Sequence, residues 1–308
     1  MEVTPVWFLI SSQRISGEPK DPKEELHKLL FFAIITLLYK KYMLANDDLG
    51  NLGRLGNQMF QYTALRGLAQ RHAYEYCLPP RAVVATRDPN VVSSDITMFE
   101  CFKIPESPKY VTNFPKITES CFELDQNLWN NCPDNISLYG YFQTEKYFKH
   151  IEKQIREAFI FVDEILQPTE EAFKSNFGDT EVIAIHLRRG DYLKYPHHPV
   201  QTLEYYTEGL SHMPEDIPVM IFSDGIDWCK EQDIFQDDRF IFAEGNSTGV
   251  DLCLMSLCSY AIIANSSFSW WGAWLAKSKK TVAPSVWFAG PDTSKNLGDL
   301  YLNDWIII

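Results

Sequence analysis

Positive charge is scarce in this chain. Its 308 residues carry 28 Lys and Arg against 41 Asp and Glu, for a net charge of −13. Nucleic-acid binding needs a basic face, so nucleic acid is not the expected main partner. Any polyanion this protein binds must be held by a few cations gathered in one place. Other signatures are missing too. The seven cysteines, Cys77, Cys101, Cys121, Cys132, Cys229, Cys253 and Cys258, include no Cys-x-x-Cys. An odd number rules out a full disulfide framework, zinc has no support, and reduced thiols are expected. There is no GxxxxGK phosphate loop and no full GxGxxG. No internal repeat or low-complexity tract stands out. The apolar run Leu29–Tyr39 is 11 residues long, against the ~20 that a membrane-spanning helix needs. Lys40 and Lys41 close it, and it starts late, without a small-residue cleavage site, so it makes a poor signal peptide. A soluble or peripheral segment is the expectation here and a membrane anchor the alternative. Residues 1–28 carry no usable pattern. Three stretches, at Asn135, Asn246 and Asn265, match the glycosylation acceptor pattern, which has meaning only in a secreted chain.

What is present is ordinary globular composition, 45% apolar and 22% charged, in a length that suits one large or two smaller domains. The second half alternates regularly. Strands are expected at Val182–Leu187, Pro218–Phe222, Arg239–Ala243, Tyr260–Ala264 and Thr281–Ala283. Helices are expected at Val200–His212, Ile226–Glu231 and Gly249–Cys258, and again after Ser269. Short apolar strands alternating with helices indicate an α/β fold with parallel sheets. The first half is less regular. A helix is expected over Gln58–His72 with Asn57 as its cap, then short strands and loops over 80–135. A strand follows, ending near Gln143, with a helix starting at Thr144 and another over Glu164–Asn176. The expected divisions are an amino-terminal extension at 1–45, a first domain at 46–178 and a second at 179–308.

Four stretches carry chemistry. In EVIAIHLRRGDYLKY, residues 181–195, a buried strand runs into His186, Arg188, Arg189, Gly190, Asp191 and Tyr192. Adjacent arginines at a strand's carboxyl end make poor core and a good anion clamp, because a guanidinium grips two phosphate oxygens in one plane. In open α/β sheets the carboxyl ends of strands are also where ligands bind. Successive residues on a strand point to opposite sides. One arginine is therefore expected on a diphosphate, with Arg188 preferred, and the other on the supporting loop or the base. The stretch Gly53-Arg54-Leu55-Gly56-Asn57-Gln58 is a Gly-rich loop entering a helix, which can hold an anion or be a plain turn and cap. Asn265-Ser266-Ser267-Phe268-Ser269 is a second loop-to-helix junction, suited to phosphate or to ordinary capping. Trp270, Trp271 and Trp274 follow at helical spacing, and at least two are expected in the core. Asp224 ends its strand and either contacts ribose or base, or caps the turn.

Taken together, GRLGNQMFQY at 53–62, GYFQTEKYF at 140–148, HLRRGDY at 186–192 and NSSFSWWGAWL at 265–275 resemble the α-1,2-fucosyltransferases of glycosyltransferase family 11. The resemblance covers about residues 50–308. It implies a GT-B-like fold, two Rossmann-like halves with parallel sheets facing across a cleft, with GDP-fucose bound mainly to the second half. It also implies transfer of L-fucose to the 2-hydroxyl of a terminal galactose on a glycan acceptor, with inversion and no required metal or cofactor. The absence of any Asp-x-Asp agrees with metal independence. Membrane-anchored relatives place the catalytic domain in the Golgi lumen. Without a clean anchor here, a cytoplasmic or membrane-peripheral location is expected, with the Golgi as alternative.

On this reading negative charge grows on the departing diphosphate, and a fixed cation stabilises the transition state more than the ground state. Arg188 would supply it. Asp191 would take the acceptor proton, or only orient an arginine or cap the next turn. His186 would fix the strand end, touch the diphosphate or act as base. Arg189, Gly190, Tyr192, Asp224, Asn265, Ser266, Ser267, Phe268 and Ser269 would surround the donor. Gly53, Arg54, Gly56, Asn57 and Gln58 would close the cleft from the other half. The rivals are a transferase using another nucleotide sugar or linkage, and a carbohydrate- or nucleotide-sugar-binding protein without catalysis. A sulfotransferase would need a phosphosulfate loop with a lysine, and none is found.

Overall fold

The computed structural model describes residues 42–84, 97–105, 110 and 113–308. The apolar run Leu29–Tyr39 and nearly all of the 1–45 extension lie outside the described residues. Among the described residues no helix is long and apolar enough to cross a membrane.

Two parallel sheets organise the chain. In the first, β1 (Met43–Ala45), β2 (Glu75–Cys77), β3 (Lys116–Thr118) and β4 (Ile136–Tyr139) run in the order β2-β1-β4-β3. Every pairing is parallel. The strand Met43–Ala45, expected in the extension, therefore stands inside the first sheet. At three residues it is too short to show a period in sequence. The second sheet holds β5 (Ile183–Leu187), β6 (Val219–Ser223), β7 (Phe240–Phe242), β8 (Tyr260–Ile262), β9 (Lys280–Ala283) and β10 (Ile306–Ile307). Its order is β10-β9-β8-β5-β6-β7, again all parallel. All five residues of β5 are buried, as a central parallel strand covered on both faces requires. The chain builds outward from β5 through β6 to β7, then returns to the other side of β5 for β8, β9 and β10. The order therefore reverses between β5 and β8, and ligands bind outside the strand ends at such a reversal. The edge strand β10 was not expected from sequence. It is two residues, Ile306–Ile307, and among the described residues it pairs with β9 alone.

The halves are fused through aromatic packing. The five longest helices are α1 (Leu55–Arg71), α2 (Asp163–Phe177), α3 (Leu203–Ser211), α4 (Thr248–Leu257) and α5 (Ser267–Ala276) among the described residues. Of the 17 residues of α1, 13 are buried, so this helix is interior on nearly every side. Against it lies α5. Trp270 and Trp271 are fully buried, and both pack at a tilt against Phe60 of α1 with ring centroids 4.6 and 4.8 Å away. Trp271 also stacks on Phe148 and donates its indole N–H to the Gly56 carbonyl at 3.0 Å. The tryptophans are core, as their spacing suggested. Gly56 has to be glycine, because a Cβ there would come within 2.6 Å of the Phe268 nitrogen and the Ser267 carbonyl carbon. Two helices, one from each half, thus touch at their amino-terminal turns.

Truncating the central indole should cost most. Trp271→Ala is expected to lower stability by about 3–5 kcal/mol, read as a fall in the urea midpoint at constant slope. A loss below about 1 kcal/mol would mean that the α1–α5 contact does not join the halves.

Candidate active site

A cavity of about 770 Å³ lies at the carboxyl edge of the second sheet, closed from the other side by the first half. At its centre is Arg188, one residue past the end of β5. Its Nη1 meets the Asp224 carboxylate at 2.8 Å and its Nη2 meets Asp191 at 2.6 Å. The guanidinium is thus held from two sides, with its plane set.

Asp224 does more than pair a charge. Its Oδ1 accepts the backbone N–H groups of Arg189 at 2.8 Å and Gly190 at 3.1 Å. A carboxylate following β6 therefore shapes the loop following β5. The glycine of the Arg-Arg-Gly-Asp run follows from this, since a Cβ at 190 would lie 2.5 Å from the Asp224 Oδ2. Both Asp224 oxygens have partners within the protein, so it braces the clamp from a position in the cavity lining. The two arginines part as strand alternation requires. Arg188 faces the cavity, whereas Arg189 turns away and lies over the Trp228 ring at 3.4 Å. Asp191 sits between Arg188 and Arg54, whose Nη2 comes within 4.0 Å of its second oxygen. Tyr192 lines the cavity, carries the Arg188 guanidinium 5.3 Å over its ring, and donates its hydroxyl to the Asn265 carbonyl.

His186 also faces the cavity and is 5% exposed, and its Nδ1 has no hydrogen-bond partner among the described residues. Burial pushes its basicity far below the ordinary imidazole value, and the neighbouring Arg188 charge adds to the effect against a smaller opposing pull from Asp224. The ring is therefore neutral at physiological pH.

Two uncapped helix ends converge on this centre. Among the described residues no side chain caps α5, which begins after Ser266, or α1, which begins after Arg54. Ser266, Ser267 and Phe268 from one, and Gly53, Arg54, Gly56 and Asn57 from the other, line the same cavity. Unpaired N–H groups at a helix start favour anions. Asn57 is not the cap expected from sequence. The helix starts at Leu55, three residues before the expected Gln58, and the Asn57 side-chain oxygen accepts from the Gln143 side chain at 2.6 Å.

Two more residues expected on the donor, Gln58 and Ser269, lie outside the cavity lining, as Arg189 and Gly190 do. Gln58 is buried and accepts the Met98 N–H at 3.2 Å. Ser269 is buried, with its hydroxyl on the Ala264 and Ser266 carbonyls. In each, helical rotation turns the side chain inward, away from the lining residues beside it. Asn265 lines the cavity, yet its amide donates to Pro199 and Trp287 carbonyls and accepts from Gln201, so it ties three loops together. Its burial to 1% also makes this acceptor motif inaccessible in the fold.

Sequence reasoning missed one face. Thr248 and Asp251 enter from the start of α4, beyond β7, and Trp287, Phe288, Asp292 and Lys295 enter from the chain after β9. Asp251 was invisible because nothing local distinguishes it from a helix-surface acid. Burial pushes its carboxyl up to about 6, against one hydrogen bond from Asn246. All seven cysteines are free thiols, and none lines the cavity.

The fold and site define an α/β protein of two parallel-sheet halves, with an arginine and two helix starts gathered in the cleft between them, an arrangement suited to an anion. Residues 25–308 match glycosyl transferase family 11, and the chain belongs to that family and is a glycosyltransferase. It is 32% identical over 269 residues to an α-1,2-colitosyltransferase of Escherichia coli, covering 77% of this chain and 90% of that one. It is 26% identical to galactoside α-(1,2)-fucosyltransferase 1 of Leontocebus fuscicollis, covering 73% of this chain and 64% of that protein. Among solved structures, the fucosyltransferase NodZ from Bradyrhizobium overlays with a TM-score of 0.49 at 13% identity, covering 77% and 92–93% of the two chains.

The neutral state of His186 is open to direct reading. Its ring-proton NMR signals should not titrate between about pH 5 and 8. A normal titration near the free imidazole value would contradict the buried, arginine-flanked position described above.

Proposed function

We propose that the protein transfers L-fucose from GDP-fucose to the 2-hydroxyl of a terminal galactose, inverting the anomeric carbon and using no metal ion. One observation carries the reading: a braced guanidinium at the sheet's reversal point, beside two uncapped helix starts. This arrangement suits a diphosphate whose charge rises as the sugar leaves. Membership of family 11, and relatives named for α-1,2 transfer, support the linkage.

The residues then divide the work. The diphosphate takes the Nη2 face of Arg188, where Asp191 now sits, and Asp224 keeps the guanidinium from following it. His186, neutral, donates one N–H to a diphosphate oxygen. As the bond from anomeric carbon to phosphate oxygen breaks, its electron pair stays on the phosphate, facing Arg188. The galactose 2-oxygen bonds to the anomeric carbon from the opposite face and gives up its proton. Asp191, released from Arg188, accepts that proton. On the β7 side, the Asp251 carboxylate faces the nucleobase. A carboxylate can accept both the ring N–H and the amino N–H of guanine, a pairing that neither adenine nor uracil offers.

A second reading has its own support in the 32%-identical relative, a colitosyltransferase. Colitose is fucose without its 3-hydroxyl. The fold, linkage and phosphate chemistry would stay the same and only the sugar pocket would differ.

The test is GDP release from GDP-fucose with and without lactose, each with and without EDTA. The account expects release that depends on lactose, survives EDTA and yields a product cleaved by an α-1,2-fucosidase. Donor binding without release on any β-galactoside would instead favour a binding protein. Faster turnover of a 3-deoxy donor would favour the second reading. In the same assay Arg188→Lys should lower kcat by about 10²–10³-fold, while Arg189→Lys stays within a few-fold.

Asp251 makes a pH prediction. GDP-fucose has no phosphate group titrating near neutrality, so its affinity should fall as pH drops through about 6 and Asp251 takes a proton. Asp251→Asn should bind the donor more weakly and lose that dependence. A variant with the wild-type pH profile would remove Asp251 from base recognition.

A further inference from the structure

Strand order sets out the cleft from end to end. Asp251 follows β7, Asp224 follows β6, Arg188 follows β5, Ser266 follows β8 and Phe288 follows β9, and all five line the cavity. Strands lie about 4.8 Å apart, so the β7 and β9 ends are about 19 Å from each other with Arg188 midway. A donor with its diphosphate at Arg188 and its base toward Asp251 leaves the β9 end unused.

That end has a different chemistry. Its walls come from both halves: Phe122 and Tyr141 from the first, His197, Phe288, Asp292 and Lys295 from the second. A chain of ring contacts connects it to the clamp. Arg188 lies over Tyr192, Tyr192 stacks on His198 at 4.8 Å, His198 meets Phe288 at 5.8 Å, and Phe288 meets Phe122 edge-on at 5.1 Å. Tyr141 is 42% exposed although its backbone is fixed. The N–H groups of Tyr141 and Phe142 both donate to one Glu119 oxygen at 3.0 Å, and Phe142 is fully buried. An open ring on a fixed backbone binds with little ordering cost.

Charge at this end is already paired. Asp292 lies 3.2 Å from the Lys295 ammonium and 3.5 Å from the His197 Nδ1. Lys295 in turn lies 4.4 Å over the Phe288 ring. No cation among these residues is left over for a carboxylate ligand, whereas Asp292 can accept hydroxyl hydrogen bonds.

We propose that the β9 end is the acceptor subsite, and that it takes a neutral pyranoside with its C–H face on the Tyr141 ring and hydroxyls on Asp292. Resting on the transferase reading, it adds where the acceptor sits and which acceptors are refused. A uronic or sialic acid terminus would bring a second anion beside Asp292 and find no free partner.

The test reads acceptor and donor separately. Saturation-transfer NMR, with GDP present, follows methyl β-galactoside, lactose and N-acetyllactosamine as neutral probes and a methyl galacturonoside as the acidic one. Calorimetry follows GDP alone. The wild type should saturate the neutral galactose protons and not the galacturonoside. Tyr141→Ala, which removes an exposed ring, should weaken the neutral probes about tenfold and leave the GDP affinity and melting temperature unchanged. Equal neutral-sugar affinity in the two proteins, tighter binding of the galacturonoside, or no signal from any neutral galactoside would overturn the assignment. Failure of the wild type to bind GDP would count against the donor reading instead, and the sugar signals are read whether or not it occurs.

Discussion

One carboxylate holds the centre of this protein together. Asp224, at the end of β6, grips the Arg188 guanidinium with one oxygen and two backbone N–H groups with the other. Without it the loop after β5 has no partner for those N–H groups, and Arg188 has only Asp191 to set its plane. Pairing a cation this way also limits its freedom. A bare arginine on a flexible loop would lose side-chain entropy on gripping a ligand. Here that ordering has already happened during folding. The glycine at 190 and the outward turn of Arg189 both follow from the same contact.

The second constraint is the meeting of α1 and α5. Gly56 against Ser267 and Phe268 brings two helix starts to one point, and the buried tryptophans behind them hold the halves in register. The stability of the core and the shape of the cleft therefore depend on the same residues. Along the sheet edge the cleft then has three regions: an acid at the β7 end, arginine and helix ends in the middle, and aromatic rings with a paired acid at the β9 end.

Much of this was legible in the chain itself, for identifiable reasons. The strands of the second sheet are buried on both faces, so IAIHL and VMIFS read as continuous apolar runs. The strand end carrying His186, Arg188 and Asp191 announced itself by charge where core was expected. Alternation along the strand separated Arg188 from Arg189. What was hidden depended on distance or on rotation. Met43–Ala45 was too short to show a period, so the strand fell three residues before the expected start of the first domain at residue 46. Asn57 looked like a cap because the preceding glycines looked like loop, yet Leu55 already lies in the helix. Gln58 and Ser269 stand beside lining residues but turn into the core. Asp251, Phe288 and Lys295 reach the cavity only through tertiary folding, and no local pattern marks them.

The central claim is that Asp224 acts on the ligand through Arg188. A double-mutant cycle on GDP-fucose affinity tests it most directly, using Asp224→Asn, Arg188→Lys and the pair. The account predicts that each single variant weakens binding and that the pair is barely worse than Arg188→Lys alone, because both changes remove the same oriented guanidinium. Additive losses would contradict it. They would mean that Asp224 touches the donor on its own account and that the clamp stands without its brace.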